Sequence, residues 1–539
     1  MTQVKNILFI MCDQLRNDYL GCYGHPSLAT PHIDGLAARG VRFTRAYVQS
    51  PICGPSRMCT YTGRYVIAHG STWNGVPLKV GESTLGDYLR PSGMRVAIAG
   101  KTHMVPDAEG MARLGIDPQS MIGVHLSQCG FEPYERYDGV YPDQSRELPE
   151  YNDYLKSKGY DGFNPWHHWA NSAEDDEGRI VSGFFMKYAA RPARVKEADS
   201  ESPYITDRAM EFIEETGERP WCLHLSYIKP HWPYIAPAPY HDLFGAADVI
   251  PAVRSDQERV DPHPIYQSFM NERVSRAFSG NKVRETVIPA YMGLIKQIDD
   301  QIGRLLDFLT RKDRLKDTLI VFTSDHGDYL GDHWLGDKEL FHDISVRVPL
   351  IIVDPSQAAD RMRGQTSDAL VEMIDLVPTF LDAVAIEIPT HRLEGRSLLP
   401  LLHGNAQPSP RRYVISEYDY SFRLARIEHD IAIRDCHLIM VADERWSYVE
   451  APNFPPMLFD RAQDPHEFVD LGRDSTHAQV CEAMQQRVLQ WATAMRQRTT
   501  LSDAEVKKRF GREADAGILI GFWDEAEPRT YEGIRHDAS

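Results

Sequence analysis

Cys53-Gly54-Pro55-Ser56-Arg57 sets a thiol four residues ahead of a guanidinium, with a proline between them. Asp13-Gln14 and, three hundred residues on, Asp325-His326-Gly327 each follow an apolar run. Hard carboxylate oxygens with one imidazole suit a divalent cation such as Ca²⁺, Mn²⁺ or Mg²⁺, with Zn²⁺ also open. Gly100-Lys101-Thr102-His103, Lys229-Pro230-His231 and Lys338 add ammonium groups and imidazoles. Such groups stabilise anionic charge and carry protons near neutral pH. Singly, each of these is an ordinary surface lysine, loop histidine or proline turn; their number and order in one chain argue otherwise.

The elements that must position them are legible as apolar runs at 7–12, 95–99, 221–227, 319–324 and 350–353, which predict buried parallel strands. Between them lie helical patterns, the clearest with Leu294, Ile298, Ile302, Leu305 and Leu309 on one face. Strands alternating with helices predict an α/β fold, a mostly parallel sheet covered on both sides. Ligands of such sheets bind beyond the carboxyl ends of the strands. Two predicted strands run straight into Asp13 and Asp325, which places both carboxylates at that edge. Residues 1–407 therefore read as the α/β domain, with 106–201, rich in Tyr, Trp, Asp and Gly, as an insertion over the site. Residues 408–508 read as a smaller α+β subdomain: strands at 412–416, 435–441 and 445–450, then Leu458-Phe459-Asp460, then a helix near 478–496. The remainder, 509–539, reads as an extended tail. Its Ile518, Leu519, Ile520, Phe522 and Trp523 are expected to pack on the rim of the site or on a neighbouring subunit.

Composition narrows the partners. The 539 residues are 42% hydrophobic and 25% charged, ordinary for a globular protein. Against 77 acidic residues stand 59 Lys and Arg, a net charge of −18. Such a surface disfavours nucleic acid and polysulfated chains and favours a small substrate. No run reaches the length of a membrane span. The N-terminal apolar run at 7–12 is too short for a signal-peptide core, so the expected location is cytoplasmic. The eight cysteines are scattered without a CxxC pair, and Cys12 and Cys222, inside strand-like runs, read as small buried hydrophobes. The cluster Trp166-His167-His168-Trp169 is better explained by packing than by a substrate pocket.

Cys53 to Arg57, followed by Thr62-Gly63-Arg64, resembles the sulfatase signature C-x-P-S-R-x(4)-T-G, with Thr60 where leucine is usual. The resemblance implies that a maturation enzyme oxidises Cys53 to formylglycine. As a hydrated aldehyde it would attack sulfur with one hydroxyl, form a covalent sulfo-enzyme, and expel the sulfate through the other. Arg57 would hold the modified side chain. The same resemblance maps Asp13, Cys53, Asp325 and His326 onto the ligands of one divalent metal, Ca²⁺ or Mn²⁺ foremost, with Gln14 a further candidate. Many sulfatases carry Asp-Asp and Asp-Asn there; Gln14 and His326 match phosphonate monoester hydrolases and choline-sulfatase-like members instead. Lys101 and His103 resemble the family's G-K-x-H and would bind the substrate's non-bridging oxygens. His231 in the K-P-H element is the implied general acid, and Lys338 and Asn74 are implied substrate-binding groups. Thr30-Pro31-His32-Ile33-Asp34 and Leu458-Phe459-Asp460 with Asp464-Pro465-His466-Glu467 extend the resemblance over nearly the whole chain. The fold it implies is that of the alkaline phosphatase superfamily.

The expected activity is hydrolysis of aryl or small alkyl sulfates. The rival keeps the site and changes the substrate to a phosphonate monoester or phosphodiester. Phosphonate monoester hydrolases place Tyr and Thr where this chain has Lys101 and His103, so the pair favours sulfate. A phosphotransferase of the same fold would carry Ser or Thr at position 53, and a non-catalytic descendant would have lost some of these groups. The expected partners are a small anionic ester, the maturation enzyme and further copies of the chain, as a dimer or tetramer.

Overall fold

The structure, a computed structural model, describes residues 4–405, 410–496, 498–509 and 516–525. Asn6–Asp13 is buried at every position, as a strand covered on both faces must be. Trp221–Pro230 and Thr318–Ser324 flank it, both parallel to it. Arg95–Gly100 lies parallel beyond Trp221–Pro230, and Glu132–Arg136 forms the edge. On the other side follow Arg347–Val353, Val41–Tyr47 and the short strands Gln365–Ser367 and Val371–Glu372, completing nine strands.

Arg347–Val353 runs antiparallel to both neighbours, which corrects the expectation of a parallel strand at 350–353. A parallel return needs a crossover, usually a helix. Between Ser324 and Arg347 the chain makes only two short helical turns, Asp332–Trp334 and Asp343–Val346, so it returns antiparallel. The stretch 106–201 is also more than a cover, because it supplies the edge strand Glu132–Arg136.

The predicted helical face belongs to Asn281–Arg311, where Leu294, Ile298, Ile302, Leu305 and Leu309 are at most 1% exposed. It packs on the sheet beside Glu201–Thr216. A second, antiparallel sheet joins Val414–Asp419, His437–Ala442, Trp446–Glu450 and Met457–Asp460 in that order. The helix Ala478–Thr493 covers it through Met484, Val488 and Trp491. In the tail, 510–515 and 526–539 lie outside the described residues. Within 516–525, Ile520 and Trp523 are each 92% exposed, so these two side chains are not buried against their own chain. All eight cysteines are free, and Cys12 and Cys222 are buried among apolar side chains. Among the described residues no helix is long and apolar enough to cross a membrane.

Candidate active site

The parallel register brings the chemistry to one edge. Cys12 pairs with both Tyr227 and Ser324, and Gly100 pairs with Ser226. Asp13, Asp325, Lys101 and the Lys229–His231 turn therefore leave the sheet side by side. Gly100 is required there: its φ is +117°, and a Cβ would lie 1.9 Å from the carbonyl oxygen of Ser226. Gln14 and His103 hold the left-handed backbone region at φ 66° and 57°. In residues other than glycine such strain collects at functional sites.

Cys53 opens the helix Cys53–Thr62, all ten of whose residues are buried. Its Sγ lies 3.0 Å from His326 Nε2 and 3.6 Å from Asp13 Oδ1. It marks where the oxygens of an oxidised side chain would sit. Ligand-type atoms of Asp13, Cys53, Asp325 and His326 all fall within 4.8 Å of one another. Each carboxylate turns one oxygen to a protein cation. Asp13 Oδ2 is 2.5 Å from Lys101 Nζ and 3.4 Å from Arg57 Nη2. Asp325 Oδ2 accepts from Arg57 Nε at 2.7 Å. The other oxygens face His326 Nε2, Asp13 Oδ1 at 3.8 Å and Asp325 Oδ1 at 3.7 Å. His326 Nδ1 is 2.8 Å from the Gly327 carbonyl, which fixes the ring and leaves Nε2 inward. Two hard oxygens, an imidazole and residue 53 thus fit one divalent ion.

Arg57 is wholly buried and spends its remaining donors on the Lys101 carbonyl (2.9 Å) and Ser226 Oγ (2.7 Å). Lys338 Nζ is 2.9 Å from Gln14 Oε1 and 3.0 Å from His231 Nε2. Gln14 Nε2 donates to Asp328 at 2.6 Å and Asp337 at 3.0 Å, so its carbonyl end is turned to Lys338. The Gly54 N–H donates to Asn74 Oδ1 at 2.7 Å, tying Asn74 to the start of the nucleophile helix.

Three cations and three carboxylates meet here: Arg57, Lys101 and Lys338 against Asp13, Asp325 and Asp337, the last 3.6 Å from Lys338. Burial opposes ionisation of Cys53, yet Lys101, Lys338 and His326 bring its thiol well below the usual range. Burial likewise opposes charge on His326, but Asp325 and Cys53 raise it to about 9. A metal ion would displace the His326 proton, since neutral imidazole is the ligating form. Burial, then Lys338, keeps the His231 imidazole below its ordinary value.

Several supporting groups were not singled out from the sequence. Asp138 accepts the N–H groups of Thr102 and His103, both at 3.0 Å, and so holds the Lys101–His103 turn. Asp328 is pushed up to about 6 by burial and by Asp337. It also accepts from Tyr234 Oη at 2.7 Å. Glu201 pairs with Lys229 at 3.2 Å and accepts from Trp166 Nε1 at 3.0 Å. Trp166 is thus a buried support behind Lys229. No signal in the sequence marked Asp138, because the strand it follows, Glu132–Arg136, carries no apolar run.

The chain is similar to known proteins over most of its length. Residues 5–386 match the family model described as Sulfatase, and 331–494 that described as N-sulphoglucosamine sulphohydrolase, C-terminal. The chain is 32% identical over 524 residues to the multifunctional alkaline phosphatase superfamily protein PehA of Trinickia caryophylli, covering 92% of this chain and 96% of that protein. It is 29% identical to a choline-sulfatase of Rhizobium meliloti, covering 88% and 83%. The phosphonate monoester hydrolase of Silicibacter pomeroyi superposes with a TM-score of 0.80 at 29% identity, over 92% of this chain and 97% of that one.

Proposed function

The chain belongs to the sulfatase family, and from that premise we propose that it hydrolyses sulfate monoesters, aryl or small alkyl, with residue 53 oxidised to formylglycine. One observation carries the reading: the Cys53 thiol, 3.0 Å from His326, stands at a helix start between two carboxylates and three buried cations. Formylglycine supplies a hydrated aldehyde, one hydroxyl of which attacks while the other lets sulfate leave. A divalent ion held by Asp13, Asp325, His326 and residue 53, with Ca²⁺ or Mn²⁺ expected first, supplies positive charge that favours an ionised hydroxyl. Lys101, His103 and Lys338 take the non-bridging oxygens, and Asn74 borders them. His231 is the general acid for the leaving oxygen, drawing the proton it gives at Nε2 from the Lys338 ammonium 3.0 Å away. Cys53 is 1% exposed, so the maturation enzyme acts before this helix packs.

The likeness to a phosphonate monoester hydrolase favours a second reading, in which phosphonate monoesters or phosphodiesters are the better substrates. Lys101 decides between them. A sulfate monoester offers three non-bridging oxygens, and every surrounding donor is used. A diester offers two, and its second organic arm would meet the Lys101 ammonium, whose donors beyond the 2.5 Å contact with Asp13 then find no oxygen to bind. We expect kcat/KM to favour sulfate at least tenfold, a difference of about 1.4 kcal/mol in transition-state binding. Substrates with matched leaving groups test it on metal-loaded, oxidised protein; a phosphonate or diester hydrolysed faster gives the second reading the lead.

We further propose a homo-oligomer, dimer or tetramer, as the setting for the exposed Ile520 and Trp523. Light scattering should give a multiple of 61.4 kDa. A monomer at micromolar concentration would refute the assembly.

A further inference from the structure

Away from this site, a second set of metal-type side chains meets beside the C-terminal subdomain. Glu258 lies on the turn Asp256–Arg259, His333 on Asp332–Trp334, and His342 caps Asp343–Val346. Ligand-type atoms of the three fall within 4.8 Å of one another. The side chains of Glu258 and His333 are 7% and 3% exposed, and His342 is 4% exposed. His333 Nδ1 is 2.6 Å from Glu258 Oε1. The N–H of Ser255 pins the other carboxylate oxygen at 2.7 Å. His333 itself holds a left-handed backbone, φ 51°. A cavity of about 290 Å³ opens on Glu258, His342 and Glu467, between the 257–270 segment and the C-terminal strand Met457–Asp460.

We propose that Glu258, His333 and His342 form a second divalent-metal site, of zinc type, with an open position facing this cavity. Two imidazoles and a carboxylate with a free fourth place are a donor set that zinc takes. His342 Nδ1 is 3.0 Å from Tyr329 Oη. With the proton on Nδ1, the lone pair of Nε2 is free to ligate, and Tyr329 is the outer partner that orients a metal-bound imidazole. An ion here would take the place of the 2.6 Å contact between His333 Nδ1 and Glu258. The two rings stack at 3.7 Å with 9° between their planes, so the His333 ring must turn about its Cβ–Cγ bond to share the ion, giving up its contact with Glu258 while His342 keeps Tyr329. Glu467, from the C-terminal subdomain, lines the same cavity and accepts the Asp343 N–H at 3.1 Å, one residue from His342. An ion here would therefore tie the 256–259 turn to the seam between the two sheets.

The test uses full-length protein stripped of metal and dialysed against Zn²⁺, with bound metal per chain as the readout. Glu258→Gln and His342→Gln should each bind one ion fewer than wild type. Each should retain ester turnover when the catalytic metal is resupplied. The ion in question is the one kept by Asp325→Asn and lost by Glu258→Gln, so the result does not depend on the assignment of the first site. Tyr329→Phe, which leaves the three ligands intact, should weaken the second ion by about 10–100-fold. Unchanged stoichiometry in Glu258→Gln overturns the proposal, and this near-isosteric variant decides if His342→Gln fails to fold.

Discussion

Replacing Cys53 by alanine is expected to lower kcat/KM by about 10⁴–10⁶-fold, the scale on which loss of a covalent nucleophile is felt. The thiol is the one group in the site that oxidation can turn into a diol. It is 1% exposed and sits where His326 and Asp13 converge on it. Alanine removes the reacting atom and leaves Arg57, Lys101 and Lys338 in place, so substrate should still bind. The loss should fall on kcat. Serine is the informative second variant: it restores one oxygen but cannot form the diol, so it can accept a sulfuryl group without releasing it by the same route. Turnover by Cys53→Ser should stop after a single equivalent. Mass analysis of the peptide spanning Cys53 should show the aldehyde in wild type and not in either variant. Full activity in Cys53→Ala would place the nucleophile elsewhere.

Much of the arrangement was legible because the site is built from strand ends, and strand ends are visible as apolar runs meeting a charge. Asn6–Asp13 and Thr318–Ser324 announce themselves this way, and with them Asp13 and Asp325. Val41–Tyr47 went unseen because its Arg42, Thr44 and Arg45 interrupt the apolar positions of a strand only partly buried. Glu132–Arg136, sequence EPYER, carries no apolar run at all; its place in the sheet comes from pairing with Arg95–Gly100. The direction of Arg347–Val353 was hidden for another reason, since a buried run reads the same whichever way it points. The supports of the site are the least legible part. Gln14 is held by Asp328 and Asp337, 314 and 323 residues away, and nothing local marks either as its partner.

Asp325 is the position where metal binding and folding can be separated. One oxygen accepts the Gln14 N–H at 3.0 Å and faces His326; the other takes Arg57 Nε at 2.7 Å. Alanine deletes both functions. The Arg57 guanidinium, 0% exposed, then keeps only Asp13 at 3.4 Å as a charged partner. An underpaired buried charge typically costs about 3–5 kcal/mol, so Asp325→Ala should be less stable even without metal. Asparagine keeps the shape, and its amide oxygen still accepts from Arg57, so Asp325→Asn should lose only part of that stability. Toward the ion the two variants should behave alike. A neutral amide replaces an anionic ligand, which reduces attraction for a divalent cation and leaves the cationic site less compensated. Both should bind Ca²⁺ or Mn²⁺ at least about 100-fold more weakly, and both should lose turnover by about 10³-fold or more if the ion is needed for nucleophile activation. Metal titration followed by calorimetry reads the first effect, denaturant unfolding of metal-free protein the second. Wild-type metal affinity in Asp325→Asn would move the ion away from this carboxylate. Equal stability of Asp325→Ala and wild type would mean that Arg57 finds compensation elsewhere, and the charge balance drawn for the site would have to be revised.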